Sequence, residues 1–449
     1  MLVAPSSSLL LGLGLLGLGG PLACSRGTPE PAAPRTRYTP STTVRSTVPA
    51  PAGPVVVAPG AMRNVVVIVV DTLRDDAVQR ADTPTIDGLV ARGAQRSWAW
   101  AASTWTAPSV ASIMTGMSVR AHGWDFPFPV QMEAQGEGYP PLPEVPVMAE
   151  VFRAAGFRTD GWYANRLLGQ GLGYGRGFDR WEWGQDADLV AHAAEAIHAW
   201  APEERHFVYL HLMGPHHPLS PSERSRTHWG ITPEELGLGG QLGLPAVREG
   251  GDLARTVYWR AYHAVVEDTD ERLGVVMRAL RPHLGDTAVV ITSDHGEALG
   301  EHDQLGHERG VWEVLTRVPV VALHTPPLPR PMAGTELADL VTTAAGVAHT
   351  WPTPLSYAGP LVSQREGALA LSPDGGLKAI WDPHALSESA AYDLGVDSDE
   401  ERPLRPVPTE LVRARATWLA TTPAGTLQAM TGAMDEGMVQ ALKELGYMQ

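Results

Sequence analysis

The chain has a single cysteine among 449 residues, Cys24, so no intrachain disulfide can staple it and a buried core must hold it together. Basic charge is scarce too. Lys and Arg number 34 against 50 Asp and Glu, a formal net charge of −16. That balance argues against a nucleic-acid partner, which requires a basic face. The acidity itself reports solubility rather than substrate. Long apolar runs are also missing. The run from Leu9 to Leu18 spans only ten residues, the length of a secretory h-region and too short to cross a bilayer. No internal repeat is visible. What remains, at 44% hydrophobic and 19% charged residues, is a globular composition long enough for one large domain or two unequal ones.

The first segment reads as an export signal, although no Lys or Arg precedes its apolar run. Cys24 follows Leu22-Ala23 directly, which resembles a bacterial lipoprotein cleavage site with Pro21 where Leu is usual. A plain secretory peptide with an incidental cysteine is the other reading. The expected layout is a signal peptide over 1–23, with Cys24 as the lipidation site, and a Pro- and Thr-rich tether over 24–61. A catalytic domain over 62–334 and a C-terminal subdomain over 335–449, completing the same fold, follow. The protein is then exported, to the periplasm or the outer cell surface, with membrane attachment through Cys24.

Two apolar runs end abruptly in acids. Asn64-Val65-Val66-Val67-Ile68-Val69-Val70 leads into Asp71-Thr72, and Ala288-Val289-Val290-Ile291-Thr292-Ser293 leads into Asp294-His295-Gly296-Glu297. β-Branched runs of this kind suit buried parallel strands, and ligands bind just past the carboxyl ends of such strands. Side by side, the two strands would point Asp71, Asp294 and His295 at one spot. Oxygen and nitrogen donors in that mix suit one divalent cation: zinc, manganese, calcium or magnesium. Each carboxylate alone is more often a strand-end polar residue, and the convergence of three residues carries the metal reading.

Between and around these strands, helical signals fall at 85–93, after 106, at 142–155 and at 258–280, and a further strand at 207–212. Strands alternating with helices imply an α/β fold with a mostly parallel central sheet flanked by helices. From about residue 335 the pattern turns to short strands, a smaller α+β subdomain. Residues 219–252 read as a long surface loop. Thr106 falls at a helix start, where backbone N–H groups and the helix dipole favour an anion. A hydroxyl there is either a plain N-cap or, beside a cation, a nucleophile.

The order of motifs resembles the sulfatase family of the alkaline phosphatase superfamily. The resemblance rests on Val67–Asp75 with Thr83-Pro84-Thr85-Ile86-Asp87, then Thr104–Ser109 with Thr115-Gly116 and His122-Gly123. His211–Pro218, Thr292–Glu301 with Gly306-His307 and Arg317-Val318-Pro319, Tyr392-Asp393-Leu394 with Asp397, Glu400 and Glu401, and the ending Leu442–Tyr447 extend it over about 62–449. It implies an alkaline-phosphatase-like fold and a metal-dependent hydrolase of anionic esters. It assigns Asp71, Asp294 and His295 to the cation and Thr106 to the nucleophile, itself a metal ligand. His216 and His307 would contact the anionic group or protonate the leaving group, and Thr72 stands where a second Asp ligand is usual.

The departures set the chemistry. Sulfatases oxidise a Cys or Ser to formylglycine within Cys/Ser-x-Pro-x-Arg, whereas this chain has Thr106-Ala107-Pro108-Ser109-Val110. Threonine cannot become that aldehyde, so no formylglycine is expected. Threonine nucleophiles in the superfamily serve phosphodiesterases and phosphoryl transferases, which favours a phosphoester, phosphodiester or phosphonate ester over a sulfate ester. The substrate would be a small molecule or an envelope glycan or lipid. A true sulfatase and a catalytically silent, metal-stabilised envelope binding protein are the rival readings. Of the remaining residues, His302 reads as a loop residue, His217 as a bystander and His211 as a core histidine. Trp98, Trp100, Trp105 and Asp125 read as packing.

Overall fold

The computed structural model describes residues 60–169, 171–237, 242–329, 331–383, 389–431 and 439. The expected signal segment, almost all of the tether with Cys24, and the ending 442–447 lie outside them. The central sheet has eight strands: β1 (Asn64–Val70), β2 (Gln95–Trp100), β3 (Arg158–Tyr163), β4 (Arg180–Trp183), β5 (His206–Leu212), β6 (Thr287–Thr292), β7 (Arg317–Leu323) and β8 (Met332–Ala333). Their order across the sheet is β8-β2-β7-β6-β1-β5-β3-β4. All neighbours run parallel except β7, which is antiparallel to both β2 and β6. The expected α/β architecture is thus present as a mixed, mostly parallel sheet.

Alternation along β1 builds the two layers. Val65, Val67 and Val69 face one core, with α2 (Thr106–Thr115) and α5 (Leu337–Ala344) over it. Val66, Ile68 and Val70 face the other, under α1 (Pro84–Val90), α3 (Asp186–His198) and α4 (Gly251–Leu280). Side chains on a strand alternate faces, so a strand sandwiched between helices must be apolar at every position. This is why β1 and the centre of β6 read as unbroken apolar runs, with His206 and His211 as polar exceptions in β5.

A four-stranded antiparallel sheet follows, built from β9 (Leu361–Arg365), β10 (Ala368–Ser372), β11 (Leu377–Trp381) and β12 (Ala390–Asp393). It forms the small C-terminal subdomain. The stretch just after residue 335 packs as α5 in the main core rather than in this sheet. A fully buried ion cluster ties the small sheet down: Lys378 Nζ lies 2.7 Å from Glu400 and 3.2 Å from Glu313.

Two expected elements differ. The helix expected over 142–155 is confined to Met148–Ala154. Pro143 and Pro146 push the residues before them out of helical conformation. The expected loop 219–252 contains helical turns at Glu223–His228, Glu234–Leu236 and Leu244–Glu249, seated by buried Leu219, Ile231, Leu236, Leu242, Leu244 and Val247. Its polar composition hid these few scattered apolar residues. Among the described residues, no helix is long and apolar enough to cross a membrane.

Candidate metal and nucleophile site

Four adjacent elements deliver the site from the carboxyl edge of the sheet. β1 ends in Asp71, and β6 runs through Ser293 into Asp294 and His295. Because β1 and β6 are parallel neighbours in register, Val69 opposite Thr292, their ends emerge together. Thr106 opens α2, and the loop after β5 carries His216. Gly296 lets the His295 loop lie against the turn Glu313–Thr316, where any Cβ would collide with the carbonyl of Val314. The backbone N–H of Gly296 donates to Leu315 O at 2.8 Å and that of Glu297 to Val314 O at 3.1 Å.

One oxygen atom each from Asp71 and Asp294 and one nitrogen of His295 lie within 4.8 Å of one another, and all three residues are fully buried. Thr106 Oγ1 sits 3.2 Å from Asp71 Oδ2 and 3.4 Å from His295 Nε2. Trp105 takes the N-cap position and Thr106 is the first helical residue, so Thr106 is not the plain N-cap that the sequence left open. The Nδ1 of His295 faces Gly296 O at 2.9 Å and must donate to it, which leaves the lone pair on Nε2, turned into the cluster.

The donor set fits a divalent cation on its own evidence. Asp71 Oδ1 is buried without a hydrogen-bond partner. Burial and the neighbouring Asp294 push the Asp71 carboxyl well above its ordinary range, as expected of two acids enclosed side by side. Burial acts the same way on Asp294, but His295 and His211 beside it hold that carboxyl down. His211 lies 3.5 Å from Asp294 Oδ2 and is fully buried, so it is a core histidine that also orients a candidate ligand.

His216 and His307 stand beside this cluster, the His307 ring 5.1 Å from that of His216 and 4.5 Å from that of His295. His307 Nδ1 faces Glu297 Oε2 at 2.8 Å, and His216 Nδ1 faces His217 O at 2.5 Å. Burial lowers His307 to about 4 and lowers His216 well below the ordinary imidazole value. Burial opposes ionisation of Glu297 as well, yet His307 and His217 hold its carboxyl well below the usual range. Tyr258 also donates to Glu297, at 3.1 Å. His217 is therefore no bystander: it stacks on His216 and lies 3.6 Å from Glu297.

Two site residues escaped the sequence reading. Asn165, just past β3, donates to Asp71 and to Thr106, and Glu297 organises His307 and His217. Glu297 was visible two positions after His295, whereas β3 itself carries too little apolar periodicity to announce Asn165. Thr72 takes a left-handed φ of 59°, rare for a β-branched residue, and its hydroxyl is buried without a partner. Its backbone is held on both sides, donating to Asp294 Oδ1 at 3.4 Å and accepting from Tyr262 at 2.6 Å. His302 stacks on Trp312 at 3.9 Å, outside the cluster, as a loop residue would. Trp100 and Trp105 are buried in packing, Trp98 packs partly buried, and Asp125 accepts from the backbone of Glu366 and Gly367.

Comparison with known proteins bears on the family and the fold. Arylsulfatase K of Canis lupus familiaris is 28% identical over 127 residues, 28% of this chain and 22% of that protein. Arylsulfatase K of Xenopus laevis is 31% identical over 114 residues, 25% of this chain and 20% of that protein. The matched segment is about a fifth of the length of each. Among solved structures, one in complex with its substrate D-glucosamine-2-N,6-O-disulfate superposes with a TM-score of 0.63 at 16% identity, covering 80% of this chain and 97% of that one. The phosphonate monoester hydrolase of Agrobacterium radiobacter gives 0.58 at 15% identity, covering 85% and 95%. At such identities the likeness is one of fold. The sulfatase family profile matches residues 63–351, well over half of the chain, and the protein belongs to the sulfatase family.

Proposed function

We propose that this sulfatase-family hydrolase cleaves or transfers an anionic ester through Thr106, with a phosphodiester or phosphonate ester as the favoured substrate. The observation that carries the reading is the placement of one hydroxyl. Thr106 Oγ1, buried at a helix N-terminus, lies within 3.4 Å of Asp71 and His295. A zinc, manganese, calcium or magnesium ion held by Asp71, Asp294 and His295 with Thr106 would supply Lewis acidity and lower the pKa of an oxygen bound to it.

The protein residues supply the remainder. Thr106 Oγ forms a bond to phosphorus as the bond to the leaving alcohol breaks. His307, with Nδ1–H directed at Glu297, carries its lone pair on Nε2. It can receive the proton that Thr106 gives up, handed on from the Asp71 or His295 that the hydroxyl faces, and pass it to the leaving alcohol, with Glu297 stabilising the imidazolium in between. His216, anchored through Nδ1 on His217 O, stands beside it to contact the anionic group. Water then attacks phosphorus, and Thr106 Oγ leaves and regains a proton. An acceptor hydroxyl in place of water would make the same step a transfer.

A sulfo-threonine would lack the second hydroxyl with which a formylglycine hydrate ejects sulfate, so no formylglycine enters this reading. The likeness to the phosphonate monoester hydrolase supports phosphorus. The family profile and the disulfate-bound neighbour support a strict sulfatase as the second reading. Export, with anchoring through Cys24 near an envelope glycan or lipid ester, belongs to the same proposal. The test is a metal-supplemented panel of nitrophenyl sulfate, phosphate monoester, phosphodiester and phosphonate. Turnover of the phosphodiester or phosphonate well above the sulfate supports the proposal, and sulfate turnover above all others sinks it.

A further inference from the structure

We infer that Asn165 is a catalytic residue, an amide donor held against the oxygen of Thr106 that becomes the nucleophile. The inference rests on the reading of Thr106 as nucleophile. Asn165 lies immediately past β3 and is fully buried. Its Oδ1 accepts from the backbone N–H of Leu167 at 3.1 Å, which fixes the orientation of the amide. The two hydrogens of Nδ2 are then spent on two acceptors, Asp71 Oδ2 at 2.9 Å and Thr106 Oγ1 at 3.1 Å. The opposite orientation would set Oδ1 against the Asp71 carboxylate and Nδ2 against the Leu167 N–H, losing both of those bonds.

This arrangement directs the proton of Thr106. Since Oγ1 accepts from Asn165, its own hydrogen points at Asp71 Oδ2 or at His295 Nε2, both acceptors. Once that hydrogen leaves, the oxyanion keeps an N–H donor already in place within a buried site. Donors aimed in advance at developing charge contribute most in such surroundings, because nothing has to reorganise. The same hydrogen bonds hold Thr106 in the rotamer that faces the cluster. A merely structural Asn165 would need only its bond to Leu167.

The test compares Asn165→Asp, Asn165→Ala and Thr106→Ala with wild type, using a nitrophenyl phosphodiester with Mn²⁺. Asn165→Asp keeps shape and the acceptor for Leu167, and replaces the donor at Thr106 with an acceptor. Asn165→Ala removes the donor without adding charge. Both are expected to lose kcat about 100-fold, with KM within about threefold of wild type. Calorimetric titration with Mn²⁺ alone is expected to give an affinity for Asn165→Ala within about tenfold of wild type. A fall in kcat of less than tenfold in either variant, with Thr106→Ala inactive, overturns the inference. So does a loss confined to KM, or loss of Mn²⁺ binding in Asn165→Ala, which would place its action on Asp71. Thr106→Ala as active as wild type would instead remove the nucleophile reading on which the inference stands.

Discussion

Glu297 Oε2 and His307 Nδ1 lie 2.8 Å apart in the interior, and this contact sets which nitrogen of His307 can exchange protons. Glu297→Gln keeps the shape but can present an amide N–H to Nδ1 and select the opposite tautomer. Expected is a fall in kcat of about 10²–10⁴-fold with little change in melting temperature. Steady-state kinetics beside calorimetry checks it. Wild-type kcat would remove His307 from proton transfer.

The pair Asp71 and Asp294 makes a second prediction. Two acids enclosed side by side repel one another, and a cation that binds only the folded chain must stabilise it. Adding Mn²⁺ or Zn²⁺ to chelator-stripped protein should add about 2.7 kcal/mol at a hundredfold excess over Kd. Asp294→Asn should abolish that gain, whereas His302→Ala should leave it intact, since His302 lies on Trp312. Thermal scans across metal concentration read both.

Stability should also fall in acid through His122. The backbone N–H of Trp124 donates to His122 Nδ1 at 3.0 Å, so the neutral ring carries its proton on Nε2, beside Ser112 Oγ at 2.9 Å. Burial lowers this imidazole from 6.5 to about 3. A lowered histidine contributes its stability in full above the unfolded value and loses it as the pH falls from 6.5 toward 3. Between pH 6 and 4 wild type should therefore lose about 1.4 kcal/mol per pH unit more than His122→Gln. Urea melts at several pH values measure the difference, and parallel slopes contradict it.

The ion cluster under the small sheet gives a fourth prediction. Lys378 is fully buried between Glu313 and Glu400, and burial pushes Glu400 up to about 7 against the pull of Lys378. Lys378→Met leaves two buried acids unpaired and should cost about 3–5 kcal/mol. Combining it with Glu313→Gln and Glu400→Gln should recover most of that loss, because the penalty comes from uncompensated charge. Chemical denaturation of the three proteins tests the order.

The strands that carry the site were legible because burial on both faces makes their signal unmistakable. Val65–Val70 and Ala288–Thr292 end where the candidate ligands begin. The place of Thr106 at a helix start was legible from helix-start chemistry. The helix before β3 was overextended, because apolar spacing over Leu142–Val147 belongs to an extended stretch interrupted by prolines. The buried face of 219–252 was lost for the converse reason, since short turns offer too few residues to show a period. Asn165 was invisible because its meaning lies in two contacts made 94 and 59 residues away along the chain. His217 was misread because its relation to Glu297 exists only after folding.

The most direct test of the account is to quench the enzyme during turnover of a nitrophenyl phosphodiester with Mn²⁺ and to map the peptide containing Thr106 by mass spectrometry. The account predicts a phosphoryl adduct on Thr106 in wild type, absent from Thr106→Ala, which should be inactive. Turnover by Thr106→Ala at the wild-type rate, with no adduct on Thr106 in wild type, would contradict it.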